Sequence, residues 1–316
     1  MRAVAAIVGP TASGKSDLAL DVVEALAARV GVPSPEYAEV VSSDAVQLYR
    51  GMDIGTAKLP TDERRGIAHH QLDVLDPGED ASVAAFQRFA EADIDRIVDR
   101  GRRPVVVGGS GLYVRAVLDD VDLPPTDPAV RARIERRAEE IGASALHAEL
   151  AATDPAAAEA ILPGNVRRVV RALEVIELTG ETFSSRAREP RYRRPTVQIA
   201  IDVPREELDA RIAARAEAMV AGGLVEEVAG LVRQGIGRTA GRAVGYVETM
   251  AHLRGELPLD ELAGAIAAAT RKLARRQLSW FRRDARVAWL APGPSLVDGA
   301  VALIDDADAA ATTLEP

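Results

Sequence analysis

Apolar residues fall first into a short unbroken run, Ala3–Val8, which ends at Gly9-Pro10 and has the length of a strand covered on both faces. Leu18, Val22, Leu26 and Val30 then recur at helical spacing and predict a helix from about Ser16 to Arg29. A Gly/Pro loop over 31–35 separates it from a second apolar run, Glu39–Ser43. Ser82 has the chemistry of an N-cap for a helix reaching Arg100, with Phe86, Phe89, Ile94, Ile97 and Val98 expected on one side and Gly101 as its stop. Pro104–Val107 reads as another buried strand. Such alternation predicts an α/β fold, a parallel sheet with helices on both faces.

The pattern changes near residue 124. From there to about Arg194 only helices are predicted: Pro128–Ile141, Ser144–Ala151, Pro155–Ile161 and Asn165–Leu178. Strand character returns at Thr196–Val203, a helix follows at Arg205–Val220, and the last apolar run is Val287–Leu290. The expected organisation is an α/β core over 1–123 and 195–316, interrupted by a helical insertion domain over 124–194. The Ala/Asp-rich end after Pro294 is expected to be short helix and loose tail.

Composition narrows the chemistry. The 316 residues contain no cysteine, which excludes disulfides, cysteine nucleophiles and thiolate metal sites. No apolar run approaches the roughly 20 residues that span a bilayer, and the N-terminal segment lacks the pattern of a signal peptide. The expectation is a cytoplasmic protein without a membrane partner. No coiled-coil or other dimerisation signal is evident, so a monomer is expected.

The formal net charge is −9, yet the basic residues are concentrated. Leu262–Arg286 carries seven of them (Arg271, Lys272, Arg275, Arg276, Arg282, Arg283, Arg286) against the single acid Asp284. Pro163–Arg194 carries eight arginines against four glutamates. Each region reads either as a solvated helix face or as a local site for a polyanion. Only Lys15, Lys58 and Lys272 are lysines, so each survivor is a candidate for a task that suits a compact ammonium.

Gly9-Pro10-Thr11-Ala12-Ser13-Gly14-Lys15-Ser16 matches the phosphate-loop pattern G-x-x-x-x-G-K-[ST] and lies between a predicted strand and a predicted helix. Its glycines permit a cradle of backbone N–H groups at a helix N-terminus, with Lys15 toward a distal phosphate and Ser16 toward Mg²⁺. The loop recognises consecutive phosphates, so ATP and a diphosphate leaving group satisfy it equally. Ligands of open parallel sheets bind beyond the carboxyl ends of the strands. Ser42–Arg50, with Asp44, and Gly108–Tyr113, with Ser110, follow two such ends. Asp44 reads as a base or as an indirect Mg²⁺ ligand, and Ser110 as a site residue or a turn residue. His69-His70 favours a structural role over a metal site, because adjacent side chains diverge and no further ligand lies nearby. Trp280 and Phe281 read as base-stacking or, more simply, as core.

Taken in order, GPTASGKS (9–16), SSDAVQLYRGMDIGTAK (42–58), HHQLD (69–73), GGSGLY (108–113), RRVVRALEV (167–175), GRAVGYVE (241–248) and TRKLARRQLSWFRRD (270–284) resemble the bacterial tRNA dimethylallyltransferases, also called isopentenyl-diphosphate:tRNA transferases. The resemblance spans roughly Val4–Leu290 and implies a P-loop NTPase-like core with a helical insertion. It implies transfer of a dimethylallyl group from dimethylallyl diphosphate to N6 of the adenosine at tRNA position 37, with Mg²⁺ as cofactor and the anticodon stem-loop as partner. Asp44 then matches the general base, Ser110 a residue that orients the reacting groups, and Arg215 a diphosphate contact beside Gly9–Ser16. Asp44, Ala45, Val46 and Gln47, with Ser110, Arg167, Arg168, Arg171, Arg242, Gly245, Tyr246, Arg275, Arg276 and Gln277, match places where the family meets tRNA. Ala45 replaces the usual Ser and Val247 the usual basic residue. Neither change removes a group the chemistry needs. Rival readings are a P-loop kinase of small molecules, a prenyltransferase of free adenine nucleotides, and a non-catalytic RNA-binding module. The first predicts phosphate release or transfer from ATP without tRNA, the second leaves both basic regions without a purpose, and the third leaves the phosphate loop and Asp44 unexplained.

Overall fold

The computed structural model describes residues 2–121, 123–186 and 189–313. In chain order its elements are β1 (Val4–Val8), α1 (Lys15–Val30), α2 (Ser34–Tyr37), β2 (Ala38–Ser42), β3 (His69–His70), α3 (Val83–Asp99), β4 (Arg103–Gly108) and α4 (Gly111–Leu118). Then come α5 (Pro128–Ile141), α6 (Ala143–Thr153), α7 (Pro155–Ala160) and α8 (Val166–Thr179). The chain continues through β5 (Thr196–Ile201), α9 (Arg205–Ala221), α10 (Leu224–Gln234), α11 (Tyr246–Leu253), α12 (Leu259–Phe281), β6 (Val287–Leu290) and α13 (Leu296–Thr313). Two compact units result, one made of 1–119 and 192–316 and the other of 120–191.

The first unit is built on one six-stranded sheet, ordered β3-β2-β4-β1-β5-β6, and every pairing is parallel. Alternate residues serve opposite faces. Ala5, Ile7, Val40, Val105, Val107 and Ile199 pack with Leu18, Val22 and Leu26 of α1, Ile212 of α9 and Ile266 of α12. Val4, Ala6, Val8, Val41 and Val106 pack with Phe86, Ile94 and Ile97 of α3 and Val114 and Val117 of α4. Burial on both faces explains why the strands read as continuous apolar runs rather than alternating ones. Because Val8 pairs with Gly108 and Ser42 with Val107, the loops after β1, β2 and β4 emerge at the same level of the sheet. That register assembles the site.

Two expectations about helices are corrected. Phe89 and Val98 are exposed, and the apolar stripe of α3 is Phe86, Ala90, Ile94 and Ile97 together with buried Asp93. Asp93 tolerates burial because Gln71 Nε2 donates to it at 2.6 Å and Arg96 also pairs with it. The chain end is no loose tail either. Helix α13 spans 18 residues and buries Ala300, Val301, Ile304 and Ala311. Its Asp308 receives the fully buried Arg103 guanidinium at 2.5 Å and the Ala3 N–H at 2.7 Å. The short side chains weaken the helical signature, but Ala300 suffices beside Val301 and Ile304 where the helix packs into the core. Residues 314–316 of that expected tail lie outside the described residues, as does Arg188 of the arginine-rich stretch.

The second unit holds α5–α8 around Ile134, Leu146, Leu150, Ile161, Val169 and Val170. Asp127 and Asp154 cap α5 and α7, accepting N–H groups of Ala129 at 2.7 Å and Ala157 at 3.0 Å, and each precedes a proline at the first helical position. Glu174 on α8 is fully buried and accepts from Arg131 and Arg171, the nearest contacts being 2.7 and 2.8 Å. Burial pushes its carboxyl upward, but the hydrogen bonds from both guanidiniums and from the Asp127 N–H leave it below the usual glutamate value. No helix among the described residues is long and apolar enough to cross a membrane.

Candidate active site

The phosphate loop hands β1 over to α1 within six residues, which requires sharp turns of the backbone. Gly9 at φ +129°, Ala12 at +63° and Gly14 at +89° provide the turns, two of them at glycines that tolerate positive φ. The Ser13 hydroxyl donates to the Pro10 carbonyl at 2.9 Å and stiffens the loop from inside. Lys15 Nζ donates to the same carbonyl at 2.5 Å. Burial lowers the Lys15 ammonium to about 8, with the Asp44 carboxylate working in the opposite direction and Arg215 reinforcing the decrease. That mutual influence places the lysine, the carboxylate and the arginine in one electrostatic neighbourhood.

Beyond β2, Asp44 Oδ1 accepts the Val46 N–H at 2.9 Å, a local turn that fixes the carboxyl at the mouth of the sheet. Ser110, at the N-terminus of α4, accepts the Ala45 N–H through Oγ at 3.2 Å. The hydroxyl thus ties the loop after β4 to the loop after β2. Gly109 is required at this crossing, since a Cβ there would lie 2.5 Å from Gln277 Nε2 and 2.9 Å from the Gly9 carbonyl.

These groups surround a cleft of about 180 Å³. Thr11, Lys15, Ser16 and Arg215 line its phosphate-loop end, and Asp44, Gln47 and Gln277 line it as well. Val40, Leu59, Leu72 and Val107 supply an apolar side, completed by Thr56, Ala57 and His69. Arg215 projects from the outer face of α9 onto the cleft, where desolvation lowers its guanidinium below the usual arginine value. Among the described residues Arg215 has no ion pair. The cleft therefore offers an anion two cations and a helix N-terminus, with the carboxylates of Asp17 and Asp44 on the same lining.

Other expected residues fall elsewhere. Gln277, expected at RNA, turns into the cleft, where its Oε1 accepts the Thr11 N–H at 2.9 Å. Tyr246 is fully buried and donates its hydroxyl to Glu227 at 2.6 Å, so its side chain is unavailable to RNA. Burial and the Glu227 charge push that hydroxyl far above the usual tyrosine value, keeping it a donor. Gly245 at φ +91° opens α11, and Val46 and Ala45 pack partly into the two core layers. Arg171 is engaged by Glu174 and by the carbonyls of Pro124 and Pro125, which makes it a brace within the second unit. Arg167, Arg168 and Arg242 are exposed. Arg275 and Arg276 share a groove on α12 with Lys272, Ser279, Trp280 and Arg283, while Phe281 is core.

His70 Nε2 lies 2.6 Å from Glu39, which Arg100 and Arg102 also hold, a structural arrangement. His69 was missed as a cleft residue, as was Thr56. Glu227 was missed because its partners are backbone N–H groups, which leave no motif in the sequence.

A family model described as IPP transferase matches residues 47–284. A tRNA dimethylallyltransferase of Nocardia farcinica is 53% identical, with 100% of this chain and 99% of that protein aligned. One from Mycobacterium tuberculosis is 54% identical over 96% of each. Among solved structures, the full-length tRNA isopentenylpyrophosphate transferase of Bacillus halodurans superposes with a TM-score of 0.71 at 37% identity, covering 99% of both chains. A eukaryotic dimethylallyltransferase acting on tRNA gives 0.75 at 25% identity, over 92% of this chain and 74% of that one.

Proposed function

The chain belongs to the IPP transferase family, and from that premise we propose that it transfers a dimethylallyl group from dimethylallyl diphosphate to N6 of adenosine 37 in the tRNA anticodon loop. The observation that carries this reading is the cleft itself, whose lining joins a phosphate cradle, an apolar group of side chains and Asp44. A diphosphate at Gly9–Ser16 would meet the loop N–H groups, Lys15 and Arg215, all suited to the negative charge that builds on a departing oxygen. The five-carbon tail would lie along Val40, Leu59, Leu72 and Val107.

Adenine N6 is a poor nucleophile because its lone pair is delocalised into the ring. Asp44 accepts its proton as the N6–C1 bond forms and the C1–O bond to diphosphate breaks. Ser110 keeps the Asp44 loop in place through the Ala45 N–H. The target base must leave its stack to reach the carboxylate, which costs less in a loop than in a duplex.

Mg²⁺ fits this donor set. The Ser16 hydroxyl lines the cleft beside the cradle, where a bound diphosphate would lie next to it. That is the mode Mg²⁺ favours, with few protein ligands and substrate phosphates supplying the rest. When bound it would neutralise charge on the leaving diphosphate. The exposed basic groove of α12 supports phosphate contacts with RNA, and Arg167, Arg168 and Arg242 are further candidates.

The test is incubation with dimethylallyl diphosphate, Mg²⁺ and unmodified tRNA, followed by nucleoside analysis. Prenylated adenosine at position 37 is expected. Asp44→Asn should lower kcat by roughly 10²–10⁴-fold with the melting temperature unchanged. Prenylation of free AMP but not tRNA, or phosphorylation by ATP without prenyl transfer, would overturn the reading.

A further inference from the structure

The loop Met52–Lys58 forms one wall of the cleft through Thr56 and Ala57, and the Thr56 carbonyl accepts Gln47 Nε2 at 3.1 Å. Inside the loop the Ala57 and Lys58 N–H groups donate to the Ile54 and Asp53 carbonyls at 3.0 Å each, and the Thr56 hydroxyl donates to the Met52 carbonyl at 2.6 Å, so the turn is closed locally and its placement against the cleft depends on what holds it from outside. On one side Lys58, buried, donates to the Tyr49 carbonyl at 2.8 Å and to Asp53 and Asp73 at 2.7 and 2.5 Å. The other side is held by a residue outside the cleft. Glu227, in the first turn of α10, accepts the N–H of Asp53 at 3.0 Å and of Ile54 at 2.7 Å through Oε2. Its Oε1 accepts the Gly55 N–H at 3.2 Å and the Tyr246 O–H at 2.6 Å.

Three consecutive N–H groups converging on one carboxylate form an anion nest, here filled by the protein's own side chain. The buried Tyr246 ring lies so close to Gly55 that a Cβ there would sit 2.5 Å from it. The carboxylate thus has its donors fixed on every side: the loop defines three, and a buried phenol defines the fourth.

We propose that Glu227 is a positioning residue that sets the cleft wall facing the prenyl tail and thereby limits the length of the allylic diphosphate accepted. The inference rests on the prenyl-transfer reading above. Thr56 and Ala57 lie on the same lining as Leu59, so a wall released from Glu227 would open the apolar side, and it would loosen Gln47 as well. Glu227→Gln leaves one acceptor oxygen where there were two and turns an NH₂ group toward N–H donors. Tyr246→Phe preserves the ring against Gly55 and removes only the bond that orients the carboxylate.

The experiment measures kcat and KM for dimethylallyl and geranyl diphosphates with unmodified tRNA, with melting temperature and amide exchange at 53–55 in parallel. For Glu227→Gln the KM for dimethylallyl diphosphate should rise about tenfold and preference over geranyl diphosphate should fall about tenfold, with faster exchange at 53–55. Tyr246→Phe should shift both in the same direction by about threefold. Wild-type KM and preference in a folded Glu227→Gln protein, even one that melts earlier, would overturn the proposal and leave a purely structural brace. Should that variant fail to fold, unchanged preference in Tyr246→Phe overturns it equally. A wild-type enzyme that transfers neither group overturns the prenyl-transfer reading and this inference with it, an outcome visible without any variant.

Discussion

Two arginine-rich regions that look alike in the sequence differ in how their arginines are paired. In the second unit, Arg131 and Arg171 close on Glu174, a carboxylate with 0% of its surface exposed. On α12, Lys272, Arg275, Arg276 and Arg283 line an open groove beside Trp280, and none has an ion pair among the described residues. What separates them is the carboxylate. An arginine with a buried acid beside it is held by that acid, because removing the partner would strand a desolvated charge. An arginine that faces water alone retains its charge for a ligand. Lys15 is a third case: it is neither paired by a close carboxylate nor freely solvated, and its lowered pKa records that position.

The strongest challenge to this contrast is Glu174→Ala. Loss of the shared acceptor should destabilise the second unit by about 3 kcal/mol, seen as amide exchange in α5 and α8 faster by more than about a hundredfold. Partial exposure of both guanidiniums keeps the cost at the lower end of the range for buried pairs. Exchange unchanged within about threefold would mean that Arg171 is not a brace and is open to RNA after all.

Next in size is the triple change Arg275→Ala, Arg276→Ala and Arg283→Ala. It should leave the melting temperature alone and weaken tRNA binding on the order of fiftyfold at physiological salt. The slope of log affinity against log salt should flatten by about 2, since each lost phosphate contact removes about 0.7–0.9. An unaltered slope would return α12 to the status of a solvated face.

The same contrast explains what the sequence discloses. Gly9–Ser16, Asp44 and Ser110 are legible because each sits where a strand ends, and parallel strands deliver their ends to one place. The helices of the second unit are legible because Asp127-Pro128 and Asp154-Pro155 are local start signals. Glu174 and Glu227 are not, since a glutamate in an amphipathic helix looks the same whether it meets water, arginines or a row of backbone N–H groups. Gln277 lies among basic residues in the sequence, yet helical geometry turns it from them into the cleft, on the same lining as Asp44. Helix α13 is illegible for a related reason, because Asp308 takes its role from Arg103, a distant residue of β4.

Lys15 gives a smaller effect with a definite sign. Its ammonium titrates at about 8 in the ligand-free cleft because burial disfavours the charge. A bound diphosphate raises that value, so above it binding must take up a proton. Affinity for dimethylallyl diphosphate should be level below about pH 8 and about tenfold weaker by about pH 9. Calorimetry in buffers of different ionisation enthalpy should record uptake approaching one proton at the higher pH. Lys15→Arg, which cannot deprotonate there, should abolish the uptake. A flat affinity profile would mean that the cradle works without the ammonium.

Arg282 sharpens the comparison most finely because it lies in the basic stretch yet is paired. It follows α12 directly, meets Asp202, and stacks 3.8 Å from the Trp289 ring centre. If pairing rather than position decides function, Arg282→Ala belongs with the braces. Both partners are exposed, so the cost should be about 1 kcal/mol from the ion pair and the stacking together. The salt slope of tRNA binding should match wild type, unlike that of the triple variant a few residues away. A slope flattened by about 0.7–0.9 would show that Arg282 leaves Asp202 for a phosphate when RNA arrives, and the partner seen in the free protein would then be no guide to use in the complex.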